Sequence, residues 1–304
     1  MHPIHSILVP VDFSAVSANA FRYALRLADQ LDAGVDLLYV IPPTDGSLMS
    51  ITLNSQLVDI GKEKLTDFFT KGMTAVSGQL EHAPAVRSYV ESGNLRATIL
   101  RHVEVEGNDL VVMGTHGEDN EEVDNIFGSN TSKLVGQAPC PVLVVPEGFG
   151  FQLLSSICFA TDLTHIAAFH AGHVLKALRV FRPRLDFVHV KTGKGQKTNF
   201  NMDLLREVFR RPDRGIDSRF HILEDDDVAE EILDYAKASN ADLVVMHRPR
   251  RGWLSRLFNK SNTREAVLEA SLPLLILPQE DSTERKNDPP GHIVPHTRGT
   301  NPLA

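Results

Sequence analysis

Gly128-Ser129-Asn130-Thr131 leads into a helix and then into the apolar run Pro141-Val142-Leu143-Val144-Val145-Pro146, and the chain makes this statement twice. Lys260-Ser261-Asn262-Thr263 leads in the same way to Pro273-Leu274-Leu275-Ile276-Leu277-Pro278, with both marks displaced by 132 positions. The halves also begin alike. Ile7-Leu8-Val9-Pro10-Val11-Asp12-Phe13-Ser14 and Ile157-Cys158-Phe159-Ala160-Thr161-Asp162-Leu163-Thr164 are both apolar runs ending in Asp, an apolar residue and a hydroxyl. A repeat of this size is a whole domain, whereas a period of about 20–50 residues would mean a solenoid. The chain is an internal duplication.

Outward from these marks, apolar runs at about 5–11, 35–41, 86–91, 108–113 and 141–145 read as the strands of the first half. Segment 15–32 (Ala18, Phe21, Leu25, Ala28) and segment 56–78 (Leu57, Ile60, Leu65, Phe68) carry the i, i+3/i+4, i+7 pattern of amphipathic helices. The second half repeats the alternation, with strands near 154–160, 185–190, 218–223, 241–246 and 274–277 and helices near 163–181, 199–210, 227–239 and 262–270. Alternating strand and helix predict right-handed crossovers and a parallel sheet. The expected fold is α/β, two tandem five-stranded parallel-sheet domains at 1–147 and 153–280 with a short linker between them. Gly148-x-Gly150 in the linker precedes a strand and is too short for a dinucleotide fingerprint. The polar, Pro-rich stretch 281–304 has no apolar period and reads as a disordered tail.

At 304 residues, 42% hydrophobic and 23% charged, the chain has the size for two domains that each bury a core. Its net charge of −8 argues against nucleic-acid or anionic-membrane partners, whose mark is a basic surface. No run reaches about 18 apolar residues, and the amino terminus lacks the regions of a signal peptide, so the expected location is the cytoplasm. The two cysteines, Cys140 and Cys158, lie in apolar strand-like runs and read as reduced core thiols.

In an open parallel sheet, ligands bind outside the carboxyl ends of the strands, where glycine turns expose backbone N–H groups and helix starts favour anions. The first half is equipped at two strand ends. Strand one delivers Asp12, and strand four, Asp109-Leu110-Val111-Val112-Met113, runs into Gly114-Thr115-His116-Gly117, with Gly128-Ser129 opening the next helix. The plain alternative is that these glycines serve tight turns with positive φ. In the second half His247, Arg250 and Lys260 stand where the first has Gly114, Gly117 and Gly128, so backbone there is kept from a phosphate. Its loop 248–256, with four arginines and Trp253, is basic.

V-P-V-D-F-S at the first strand, V-V-M-G-T-H-G at the fourth, G-S before a helix and P-C-P-V-L-V-V-P at the last strand together resemble the universal stress protein family. The resemblance covers about 4–146 and again 154–278. It implies an adenine nucleotide alpha hydrolase-like, Rossmann-like open sheet in each half. It also implies that strands 141–145 and 274–277 pair or abut across a pseudo-two-fold axis, making an intrachain pseudo-dimer or a homo-oligomer. Some members bind ATP through G-x-x-G, nine residues, then G-[S/T]; others lack the pattern and bind no nucleotide. By resemblance, Asp12 would bond the ribose hydroxyls or hold its own loop, and Val40 would offer its backbone to adenine. Gly114, His116, Gly117, Gly128, Ser129, Asn130 and Thr131 would cradle the phosphates, and Pro10, Val11 and Met113 would line the site. This chain has ten residues between Gly117 and Gly128, among them Glu118, Asp119, Glu121, Glu122 and Asp124 with no base. Two like charges about 4 Å apart repel by about 1 kcal/mol in water and about 4 at a protein surface, against about 0.3–1 kcal/mol from a helix end. The loop therefore points away, binds Mg²⁺ together with the phosphates, or excludes ATP.

Of the thirteen histidines, His165, His170 and His173 share one helical segment. At about 100° per residue His165 and His170 face apart, which leaves two ligands where zinc wants three or four, so no metal site is expected. The Ser-x-Gly elbow, the P-loop and His-Glu-x-x-His are absent, and no base is singled out for attack on a phosphate; no catalytic residue is assigned. Three functions remain, in this order: a stress-response or signalling protein sensing an adenine nucleotide, a nucleotide-independent interaction module, and a weak ATP hydrolase.

Overall fold

The computed structural model describes residues 4–43, 48–115, 129–161, 178–193, 217–247 and 272–278. The first half forms β1 (Ser6–Val11), α1 (Ala15–Leu31), β2 (Gly34–Ile41), α2 (Leu48–Val76), β3 (Val86–Ser92), α3 (Leu95–Glu106), β4 (Leu110–Gly114), α4 (Ser129–Val135) and β5 (Val142–Val145). The second forms β6 (Ser156–Ala160), β7 (Arg184–Lys191), β8 (Ser218–Glu224), α5 (Val228–Ala238), β9 (Leu243–His247) and β10 (Leu274–Leu277). Every expected strand forms, with ends displaced by about one or two residues. Helix α3 was not expected: its apolar face is thin, and its signals are the caps, Asn94 accepting from the Ala97 N–H at 3.2 Å and Gly107 at φ 71°. Helix α2 begins eight residues earlier than its periodicity indicates, at Leu48 rather than 56. The expected helices at 199–210 and 262–270, most of that at 163–181, and the tail lie outside the described residues.

The strands are ordered β3-β2-β1-β4-β5-β10-β9-β6-β7-β8. Each half is parallel within itself, and the two meet through an antiparallel pair, Leu274↔Val144, Leu275↔Leu143 and Ile276↔Val142. The two five-stranded halves thus join through their last strands into one ten-stranded sheet, and each keeps its own order, so the duplication remains legible. The reason is physical: β5 and β10 are buried along their whole length, and an edge of that kind would leave apolar side chains and backbone donors unpartnered.

The sheet separates two apolar layers. Ile7, Val9 and Val11 face α1 and α2 (Ala20, Phe21, Leu65, Phe68), while Leu8, Leu38 and Val40 face α3 and α4 (Ile99, Val103, Leu134). Both layers continue into the second half, through Phe159 and Phe187 on one side and Val188 and Ile232 on the other. The linker is anchored, since Asn19 Nδ2 donates to the carbonyls of Pro146 and Phe149 at 3.0 Å each and Phe151 packs edge-on against Tyr23. The copies also share a clamp at the start of the central strand. Asp109 Oδ2 accepts the N–H groups of His5 and Ser6, and Asp242 Oδ2 those of Ser155 and Ser156. Among the described residues, no helix is long and apolar enough to cross a membrane.

Candidate functional site

In each half the chain first builds outward from its central strand on one side and then returns to the other, so the neighbours β1 and β4 mark the point where the strand order reverses. Crevices for ligands open there, at the carboxyl ends. In the first half the β1–β4 ladder runs only through Ile7↔Leu110 and Leu8↔Val111, although β4 continues to Gly114. Pro10 explains the early stop. Ser6 O accepts from the Asp109 N–H at 2.9 Å, so the even-numbered backbone groups of β1 face β4, and Pro10 brings no N–H to that side. In the second half Ala160 stands in its place, and the β6–β9 ladder runs on through Phe159↔Val245 and Ala160↔Met246. The two copies therefore differ in the length of the ladder at the switch point.

Asp12 follows β1 at this switch point and is exposed. Its Oδ1 accepts from the Ser14 N–H at 3.0 Å and the Ser14 hydroxyl at 2.6 Å. Oδ2 makes no hydrogen bond among the described residues, so it remains available to a ligand hydroxyl. Ser14 also caps α1, its hydroxyl accepting from the Ser17 N–H at 3.1 Å, an arrangement worth about 1 kcal/mol. Between the two, Phe13 holds φ 68°, a conformation that a bulky residue adopts only when its surroundings impose it. Its ring lies 4.5 Å from that of Tyr39 and 5.8 Å from that of Phe68. The Asp12 loop is thus held from both ends.

Gly114 ends β4, with a role different from a positive-φ turn. A Cβ there would stand 2.3 Å from Val16 Cγ1 and 3.2 Å from the Val16 carbonyl oxygen. The missing side chain lets the first turn of α1 approach the end of β4. Thr131, expected among the phosphate contacts, is buried and turns its hydroxyl to the Gly114 carbonyl at 3.4 Å. Val40 and Met113 are buried on the α3/α4 side, and Val11 on the α1/α2 side. The structure therefore brings Pro10, Val11, Asp12, Val40, Met113, Gly114 and Thr131 to one end of the sheet, and Ser129 and Asn130 begin α4. His116, Gly117 and Gly128, the acidic loop, Asp162, the basic loop, and His165, His170 and His173 lie outside the described residues. The sequence signal for the short ladder is a proline inside a central strand.

In the second copy, His189 stands where β2 has Tyr39 and His247 where β4 has Gly114. His189 Nδ1 lies 2.8 Å from the Thr161 carbonyl oxygen, and the His247 ring lies 6.1 Å from that of Phe159. No group of three His, Cys, Asp or Glu among the described residues is placed to hold a metal ion.

The cysteines take no part. Burial pushes the thiols of Cys140 and Cys158 up to about 12, so both stay protonated and unreactive near neutral pH. An aromatic disulfide reagent at pH 8 is expected to label neither in the native protein and both in denaturant. Rapid release of one thiol-equivalent of chromophore from native protein would contradict the buried placement.

A family model described as the universal stress protein family matches residues 3–146 and 158–278. Among curated relatives, universal stress protein A homolog 1 of Coxiella burnetii is 28% identical over 148 residues, 48% of this chain and 97% of that protein. A universal stress protein of Methanocaldococcus jannaschii is 31% identical over 148 residues, 46% of this chain and 81% of its own. Among solved structures, a universal stress protein from Archaeoglobus fulgidus covers 90% of this chain and 98% of its own length with a TM-score of 0.66. At 19% identity that likeness is one of fold.

Proposed function

This chain belongs to the universal stress protein family, and from that premise we propose that it is a cytoplasmic stress-response or signalling protein whose first half holds an adenine nucleotide, ATP with Mg²⁺. The observation that supports this reading is the β1–β4 ladder that ends before Pro10, beside an exposed Asp12 whose Oδ1 is held by Ser14 while Oδ2 makes no hydrogen bond among the described residues. A carboxylate so placed suits vicinal ribose hydroxyls, because it accepts two hydrogen bonds without moving its loop. The second half, its ladder longer and its glycines replaced, serves as the structural or regulatory partner that completes the sheet. The reading is one of binding, and it assigns no catalytic residue.

Equilibrium dialysis with radiolabelled ATP and Mg²⁺ tests it. Wild type is expected to retain nucleotide, Asp12→Ala to retain it at least tenfold more weakly, and Gly117→Val, whose side chain obstructs the phosphates, to lose it. Equal retention by all three would move the ligand elsewhere. No retention by wild type would favour the nucleotide-independent interaction module. Phosphate release well above background, abolished by His116→Ala, would be required for the hydrolase reading.

A further inference from the structure

A cavity of about 430 Å³ opens between α1 and α2, on the opposite side of the sheet from the buried side chains of Val40 and Met113. Its size falls within the range of small-molecule sites. The floor is apolar, made by Phe13, Phe21 and Phe68, with Ala18 on the α1 wall. Gly72 keeps the helices close at one end, since a Cβ there would stand 2.4 Å from Phe21 Cε1.

The rim is cationic and only partly neutralised. Lys71 pairs with Asp67 at 2.7 Å. Lys64 has no carboxylate partner among the described residues and hangs 5.9 Å over the Phe13 ring. Arg22 is half-buried, makes no hydrogen bond or ion pair among the described residues, and lines both this cavity and an adjoining one of about 330 Å³. A guanidinium without a protein acceptor can give a charge-assisted, bidentate hydrogen bond to a carboxylate or phosphate. Two uncompensated cations beside three phenyl rings stand out in a chain of net charge −8.

We propose that this cleft is a second binding site, for a small anion with an apolar body: Arg22 and Lys64 hold a carboxylate or phosphate head, and Phe13, Phe21 and Phe68 hold the body. It is independent of the nucleotide reading, because its walls are α1 and α2 rather than the β1–β4 crevice. Phe13 and Ser14 are common to both neighbourhoods, lining the cleft while belonging to the Asp12 loop.

Isothermal titration of the full chain with 1-naphthyl phosphate, 1-naphthoate, 1-naphthol and inorganic phosphate tests the proposal. At least one naphthyl anion is expected to bind at least tenfold more tightly than naphthol or phosphate alone, and the tighter of the two identifies the head group. Arg22→Gln and Lys64→Glu should each weaken it at least tenfold, and Ala18→Trp, which fills the cleft, should abolish it; melting curves check that each variant is folded. Saturating ATP with Mg²⁺ should leave naphthyl binding unchanged, and so should Gly117→Val. Naphthol binding as tightly as the anions, unchanged binding in a folded Ala18→Trp variant, displacement by ATP, or no binding of either anion would overturn the site. Failure of ATP to bind, with naphthyl anions still retained, would overturn only the nucleotide reading.

Discussion

Arg87→Ala is expected to lower the stability of the fold by about 3 kcal/mol and to do more harm than Asp36→Ala. Asp36, on β2, is only 2% exposed as a side chain, and Arg87 reaches it across the β2–β3 pair with Nε and Nη2 donating to the two carboxylate oxygens at 2.8 Å each. Asn108 Nδ2 adds a third donor at 2.8 Å and also bonds the Ser6 hydroxyl at 2.7 Å, which ties the start of β1 into the same network. Removing the arginine leaves a buried carboxylate with one neutral donor, and breaking a buried pair in this way costs about 3–5 kcal/mol. The lower end applies because Arg87 itself is 54% exposed and part of its attraction is already screened. Removing the aspartate instead leaves a half-exposed guanidinium that water solvates, for about 1–2 kcal/mol. Urea unfolding midpoints of the two variants measure the difference. Equal midpoints, or a larger loss in Asp36→Ala, would show that the charge is not stranded as the geometry requires.

The second copy solves the same problem with a different arm. Asp186 takes the place of Asp36, but its arginine is Arg184, two residues earlier on the same strand, with Nε 3.1 Å from Asp186 Oδ2 and Nη2 on the Ser156 hydroxyl and the Ser239 carbonyl. The sequence hides this, because both residues recur: Arg219 stands opposite Asp186 as Arg87 does opposite Asp36, yet its nearest carboxylate is Asp217 at 3.9 Å. The architecture was legible for the opposite reason. Val142–Val145 and Leu274–Leu277 are uninterrupted apolar runs, and such runs have few places to go other than a buried strand. Helix α3 escaped because only Ile99 and Val103 of its face are fully buried apolar residues, so its pattern is carried by Asn94 and Gly107 at the ends. At the candidate site, the structure adds packing roles that the sequence does not display. Gly114 is bare for the sake of Val16, and the Thr131 hydroxyl is turned inward. Packing partners distant in the chain decide both uses. The cleft between α1 and α2 was hidden in the same way: Arg22 and Lys64 look like ordinary exposed positions of two amphipathic helices until the helices are laid side by side.

Gly114→Val is expected to cost about 1–3 kcal/mol through overpacking and to weaken nucleotide retention at least tenfold, a joint loss that ties the fold to the proposed site. The backbone itself accepts a side chain, because Gly114 does not adopt a positive φ; the obstacle is the first turn of α1. With Cβ at 2.3 Å from Val16 Cγ1 one contact must give, and with the Val16 carbonyl oxygen at 3.2 Å the relief cannot come from a rotamer change alone. The turn must shift, and it carries Ser14, whose N–H and hydroxyl hold Asp12. A displaced cap therefore reaches the carboxylate that follows β1. Gly114→Ala combined with Val16→Ala separates the two causes, because it removes the side-chain clash and leaves the carbonyl contact. Stability is expected to recover by more than the two single variants predict when added, a coupling of the kind that neighbours in contact show, and nucleotide retention should return with it. Additive stabilities in that double variant would mean that β4 and α1 do not meet at Val16. Full nucleotide retention in a destabilised Gly114→Val protein would separate the crevice from the ligand.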